Sequence, residues 1–483
     1  MHHKLYIDGK WVKSNSGDTF TSINPATEME IGTFEKGNEK DAKKAIDAAE
    51  RAYIKWSETP APKRGAILLR AAEIMRKRKR ELGELVTKEM GKVVAEGISD
   101  VQEAIDTFEY FAGEGRRLFG HTTPSELKDK FAMTVRRPIG IMGLITPWNF
   151  PIAIPAWKLC PALVCGNTVV FKPSSDTPLC ALEFLKILIR AGLPKGVVNF
   201  VTGSGGSVGK EIIKNKKVDG ISFTGSVATG KWIRANAGLK KVGTELGGKN
   251  PILIMDDADI ASAVDGVIWG AFGTTGQRCT AASRVIVHKK VKARFEKMLL
   301  TRTKKLKLGN GLRPKTDVGP LINKKALEKS RKYCAIGKNE GAKMLCGGLP
   351  LDGKGFFFKP TIFTNATMDM RIAQEEIFGP VLSIITCNSI DDAIEKANSV
   401  DYGLSSSIYT KNVSLAFEAI ERIEAGLTYI NSSTIGSEVH LPFGGIKNTG
   451  STREAGITGI DEFSELKTVY VDYSGKLQKA QWD

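Results

Sequence analysis

The chain has 483 residues, 42% hydrophobic and 25% charged, longer than one hydrophobic core usually supports, so two or three domains are expected. Its longest apolar stretches, Gly140 to Thr146 and Pro251 to Met255, fall far short of the roughly 20 residues that a membrane helix needs, and no segment has the composition of a disordered chain. A formal charge of +17, from 70 basic and 53 acidic side chains, favours anionic ligands; but the densest basic run, Arg76 to Arg80, is bordered by Met75, Leu82, Leu85 and Val86 and reads as the solvated face of a helix, so neither a membrane nor a nucleic acid is expected as a partner.

At the N-terminus, Leu5 to Ile7 and Trp11 to Val12 flank the turn signal Asp8-Gly9-Lys10, which predicts a hairpin. The first residues show no apolar run followed by a small-residue cleavage site, so a cytoplasmic protein is expected. Asn38, with Asp41 three residues on, precedes apolar residues at Ala42, Ala45, Ile46, Ala49, Tyr53 and Trp56; this is a capped amphipathic helix, and more helix is expected to about residue 115. From Gly140 the pattern changes. Short apolar runs (Ile141 to Ile145, Thr168 to Phe171, Val197 to Val201, Gly220 to Phe223) alternate with helical stretches (Ala156 to Val164, Leu179 to Ala191, Ser207 to Lys214), the signature of a parallel sheet covered on both faces. A second alternating region holds Pro251 to Met255, Ile260 to Phe272 and Arg284 to His288, which makes two α/β domains.

Four places carry chemistry. Phe223 to Gly230 follows a predicted strand and opens a helix, and Gly203 to Gly206 opens the helix before it; either glycine turn could offer backbone N–H groups to a pyrophosphate, or simply be tight. Pro147-Trp148-Asn149-Phe150 follows a strand, and Asn149 could donate to a developing oxyanion or cap a loop. Glu245, before Gly247-Gly248, could be a general base or an exposed charge. Cys279 lies in a small polar loop between helix and strand, where a thiolate would be a strong nucleophile toward carbonyl carbon. The other six cysteines, Cys160, Cys165, Cys180, Cys334, Cys346 and Cys387, form no Cys-x-x-Cys pair; they read as small buried hydrophobes, with neither a metal site nor a disulfide framework expected.

Singly these are ambiguous; their order is not. ITPWNFP at 145–151, VVFKP at 169–173, SFTGS at 222–226, ELGGKNP at 245–251, GQRC at 276–279, EEIFGP at 375–380 and PFGG at 442–445 together resemble the aldehyde dehydrogenase superfamily over nearly the whole chain. The resemblance implies Cys279 as nucleophile, Glu245 as general base, and Asn149 with the Cys279 amide as oxyanion hole. It implies NAD or NADP as cofactor, held by Ile145, Thr146, Pro147, Trp148, Lys172, Ser175, Gly205, Gly209, Phe223, Gly225, Ser226, Leu246, Glu376 and Phe378. Ser175 stands where many NAD-preferring members carry a Glu, which removes a carboxylate that would repel a 2′-phosphate. Ile154, Trp157, Arg278, Thr280 and Phe443 are expected to wall the substrate pocket.

The implied fold is a Rossmann-type dinucleotide-binding domain (1–119 and 139–247), an α/β catalytic domain (248–448), and a small β oligomerisation arm with the C-terminal tail (120–138 and 449–483), making a homo-dimer or homo-tetramer. In that arm, Lys128 to Arg137 and Glu465 to Tyr473 read as extended. Within the superfamily, the run from Val169 through Gly203, QRCTAASR at 277–284 and KTVYVDYS at 467–474 most resemble the enzymes that oxidise 2,5-dioxopentanoate (α-ketoglutaric semialdehyde) to 2-oxoglutarate. Succinate semialdehyde, lactaldehyde or glycolaldehyde are the alternatives, since the loop Asn431 to His440 departs from the subfamily pattern. A CoA-acylating enzyme would generally lack Glu245, and a non-catalytic relative would have lost at least one of Cys279, Glu245 and Asn149.

Overall fold

The computed structural model describes residues 1–481. The hairpin Leu5–Ile7 and Lys10–Val12 forms as its turn signal predicts, with Asp8 and Gly9 at φ 52° and 77°, a left-handed pair that these two residue types tolerate. Asn38 caps the helix Glu39–Glu58, and the Asp41 carboxylate returns a bond to the Asn38 N–H. The basic run does not form one helical face. The chain breaks at Arg78 between the helices Ala61–Lys77 and Lys79–Met90, and the Arg78 guanidinium turns inward to Glu81 and Glu183. Glu81 lies three residues on in the same run, but Glu183 comes from another helix, and charge patterning along one helix could not show that second partner.

Two seven-stranded sheets organise the chain. In the first, Lys241–Glu245, Gly220–Thr224, Ile141–Ile145, Thr168–Lys172 and Val198–Phe200 lie side by side and parallel, and the N-terminal hairpin closes the edge. All five inner strands are buried almost throughout, as expected when helices cover both faces. The helix Ala153–Cys165 is buried along its whole length, so it runs through the core instead of over it. In the second sheet, Thr361–Thr364, Val381–Cys387, Ala282–His288, Asn250–Ile254, Ser405–Tyr409 and Leu427–Ile430 are parallel, with Lys343–Cys346 antiparallel at one edge. Away from both, Ser464–Asp472 pairs antiparallel with Lys130–Pro138, which pairs with Thr122–Pro124.

Two consequences position the site. The registers Ile145↔Lys172, Phe223↔Ile145 and Thr224↔Glu245 bring the C-terminal ends of four neighbouring parallel strands together, the place where open α/β sheets bind ligands. And the chain crosses from the first sheet to the second immediately after Glu245, through residues 246–249, to begin the strand Asn250–Ile254.

Candidate active site

At those strand ends lies a groove with a cavity volume of about 720 Å³, lined by Ile145, Thr146, Pro147, Trp148, Lys172, Ser175, Gly205, Gly209, Phe223 and Gly225 of the predicted cofactor set. Gly205 and Gly206 face open space, with nothing within 4 Å of where a β-carbon would stand, and the helix Val227–Asn236 begins here with Ser226 as its cap. Lys172 is buried, donates to the Pro173 carbonyl at 3.1 Å, and is brought down to about 8 by burial. Open glycine backbone, a helix N-terminus and a buried ammonium suit a dinucleotide's phosphates and ribose. Lys210 also lines the groove, a cation that the glycine pattern gave no reason to single out.

The groove continues inward into a second cavity shared by Pro147, Trp148 and Gly225 and lined further by Asn149, Ser226, Leu246, Glu376, Phe378 and Cys279. Trp148 meets Phe378 edge-on at 5.4 Å, and Phe378 adopts φ 60°, a conformation that costs a bulky residue energy and recurs at functional sites. Glu376 accepts from the Gly248 N–H at 2.9 Å, which holds it against the link between the sheets.

Cys279 follows the helix Ile260–Phe272 and a turn in which Thr274, Thr275 and Gly276 all have positive φ, at 50°, 58° and 69°. Buried polar side chains fasten this strained loop. Asn149 Nδ2 donates to the Gln277 carbonyl at 3.1 Å, Asn250 Nδ2 to the Cys279 carbonyl at 2.7 Å, and the Thr434 hydroxyl to the Thr280 carbonyl at 2.7 Å. Gln277 itself reaches the Thr274 and Pro320 carbonyls and accepts from the Ile322 N–H. Burial, reinforced by Glu245 and Glu376, pushes the thiol up to about 12, so at rest it is protonated.

On the far side of Cys279 is a third cavity, of about 140 Å³, lined by all five predicted wall residues: Ile154, Trp157, Arg278, Thr280 and Phe443. Trp157 and Phe443 pack edge to face at 4.8 Å. Arg278 is the one cationic side chain among the described residues lining it; its guanidinium lies over Phe150 and Trp269 at 5.2 and 4.9 Å and reaches Glu96 at 3.3 Å. Glu103, Ser437 and Glu454 also line it and escaped the sequence reading, because they come from distant segments with no shared motif. Burial, then Asp100, pushes Glu103 up to about 7.

Glu245 lines this same cavity and is 4% exposed. Thr452 Oγ1 lies 3.5 Å from its carboxylate. Burial, followed by the neighbouring Glu454, pushes Glu245 well above the usual carboxylate range, with Lys158 and Arg453 opposing. Cys279 therefore stands where two cavities meet: one continuous with the groove, the other holding Glu245.

A sequence profile described as the aldehyde dehydrogenase family matches residues 11–469. The chain is 44% identical to an alpha-ketoglutarate semialdehyde dehydrogenase of Haloferax volcanii, over 97% of this chain and 99% of that one. It is 41% identical to a 2,5-dioxopentanoate dehydrogenase of Saccharolobus solfataricus, over 95% and 98%. Its fold is similar to the solved structure of betaine aldehyde dehydrogenase from Staphylococcus aureus in complex with NAD+, with a TM-score of 0.96 and 36% identity, over 98% of this chain and 95% of that one. Sequence and fold agree over nearly the whole length, and the chain belongs to the aldehyde dehydrogenase family.

Proposed function

We propose that this enzyme oxidises 2,5-dioxopentanoate to 2-oxoglutarate with NAD or NADP, through a thioester on Cys279. The observation that carries this reading is the position of Cys279 between the cofactor-type groove and a cavity that holds both Glu245 and Arg278. On this reading residues 1–119 with 139–247 form the cofactor-binding domain and 248–448 the catalytic domain.

The cofactor would be held by Lys172, Ser175, Lys210 and the turns at Gly205 and Gly225 at one end, and by Trp148, Glu376 and Phe378 at the other; when bound, it supplies the hydride acceptor. Sulfur attacks the aldehyde carbon as the thiol proton is released to solvent, which makes that carbon tetrahedral so that it has a hydride to give. Asn149, already aimed at the cysteine loop, and the Cys279 N–H steady the oxyanion. Loss of hydride leaves the thioester. Glu245 then removes a proton from water as its oxygen attacks, the C–S bond breaks, and that proton returns to sulfur. Arg278, the cation lining the third cavity, would receive the carboxylate of an anionic aldehyde, which suits the names carried by the two relatives above. A CoA-acylating enzyme would have no use for the buried Glu245.

Replacing Asn149 by Ala should lower kcat by about 10²–10³-fold, the usual effect of losing one oxyanion donor, while cofactor affinity measured by fluorescence titration changes little; an unaltered kcat would remove Asn149 from this role. The substrate assignment is tested by initial rates with 2,5-dioxopentanoate, succinate semialdehyde and propanal, each with NAD and NADP. The expected result is a preference in kcat/KM for the dioxo acid, together with use of both cofactors, because Ser175 puts no carboxylate against a 2′-phosphate. Equal kcat/KM for propanal would overturn the substrate, and strict dependence on NAD would overturn dual cofactor use.

A further inference from the structure

Glu462 ends the helix Gly456–Glu462, at the root of the arm strand. It is 7% exposed, and neither carboxylate oxygen has a hydrogen-bond partner within 3.5 Å among the described residues; the Ser222 hydroxyl is the side-chain donor that bears on it from farther off. A buried carboxylate left in that state calls for an explanation, because burial without a partner disfavours its charge strongly. Its location supplies one. Glu462 Oε1 sits 2.0 Å from where a β-carbon of Gly243 would be, so only a glycine leaves room for it. Gly243 is two residues before Glu245 in the strand Lys241–Glu245, and side chains two apart share one face of a strand, about 7 Å from each other. The carboxylate of Glu462 thus occupies the vacant position next to Glu245 on the same face.

Between them is a polar bridge. Ser222 pairs with Gly243 across the neighbouring strand, so it projects on that same face. Its hydroxyl accepts from Lys158 Nζ at 2.8 Å and lies 3.4 Å from Glu454 Oε1, and Lys158 and Glu454 form a buried ion pair. The charged and titratable groups facing the pair are Lys158 from the core helix, Arg453 and Glu454 from the segment before the last helix, Lys241 from the strand that carries Glu245, and, toward Glu245, the Cys279 thiol from its loop. Beyond Lys241 lie Asp461, Glu465 and Cys165. Lys158 is committed to Glu454, and the partly buried Arg453 and Lys241 bond to backbone carbonyls, so neither Glu245 nor Glu462 has a cation paired to it among the described residues.

We propose that Glu245 and Glu462 share one proton, so that Glu462 sets the pH at which Glu245 becomes available as the hydrolytic base. This rests on the reading of Glu245 given above. An ionised Glu462 keeps the proton on Glu245 and disables it; a protonated Glu462 lets Glu245 ionise and take the proton of the attacking water. The direction of both groups agrees: burial and then Glu454 push Glu462 up to about 7, while Glu462 is itself among the charges that raise Glu245. Glu462 touches no reacting atom and acts as a positioning residue for protons.

The test is Glu462→Gln, which keeps the shape and removes the charge. The post-burst rate of reduced-cofactor formation, which reports thioester hydrolysis, is followed against pH beside wild type and Glu245→Gln. With no competing anion, the acid limb should move to lower pH by about one unit, with burst amplitude retained. Infrared difference spectra across that pH range should lose one protonated-carboxyl band in the variant, a readout independent of turnover. An acid limb that stays in place, or an unchanged infrared difference, overturns the proposal while Glu245→Gln still blocks hydrolysis. If Glu245→Gln hydrolyses normally, the underlying reading of Glu245 falls instead.

Discussion

Cys279→Ala should abolish oxidation of every aldehyde tested, by about 10⁴-fold or more in kcat/KM, the scale on which removing a covalent nucleophile is felt. The loss should be purely chemical. The loop around Cys279 is held through its backbone carbonyls and by the Gln277, Asn149 and Asn250 amides, and no sulfur contact is needed to keep it folded. Cofactor binding, measured by fluorescence titration, and the thermal midpoint should both stay near wild type. Residual activity above about 1% of wild type, far over the level set by losing the nucleophile, would show that another group attacks the carbonyl. The six other thiols are poor candidates, because none lines the three cavities described above.

Glu245→Gln should behave differently. Acylation needs the thiol, the oxyanion donors and the hydride acceptor, so one equivalent of reduced cofactor per active site should appear in the first turnover. Hydrolysis then lacks its base, and the steady-state rate should fall by about 10²–10⁴-fold, the range for general base catalysis. Gln preserves the volume beside Thr452 and Gly444, so a cavity does not explain the change. In wild type, burial and Glu454 hold Glu245 well above the usual carboxylate range; the base form is gained as pH rises, and hydrolysis should be lost as pH falls through that raised value. A Glu245→Gln steady-state rate equal to wild type would dismiss the base and leave water activated by some other group.

The strands of the first sheet were legible because a strand buried on both faces must be a short, continuous apolar run, and Ile141–Ile145 and Thr168–Lys172 are such runs. The turns at Gly205 and Gly225 were legible because backbone that must stay open has few alternatives to glycine. Cys279, Glu245 and Asn149 stood out by the order of their motifs, and the structure brings all three to one place. What could not be read is the buried charge. Lys158 and Glu454 are 296 residues apart in sequence, Glu462 sits where amphipathic patterning would allow a surface position, and Glu103 reaches the third cavity from a helix whose rhythm looked ordinary. Burial of such groups is decided by convergence of remote segments, and local periodicity carries no record of it. The break at Arg78 was hidden for a related reason, since its partner Glu183 belongs to another helix. The stretch predicted as helix from Ser207 begins instead as a wider turn over Gly205–Gly209 before the short helix Lys210–Lys214, a widening that glycine permits and that apolar spacing does not report.

The crossing between the two sheets begins one residue after Glu245, and its Gly248 N–H is tied to Glu376. Glu245 hangs from the first sheet and Cys279 from the loop that leads into a strand of the second. The four residues that join the sheets are buried, and the Leu246 N–H is tied to the Thr449 carbonyl. The span between base and nucleophile is therefore set by a short, anchored link, so the distance the attacking water must bridge is a property of how the two sheets are joined and not of either side chain alone.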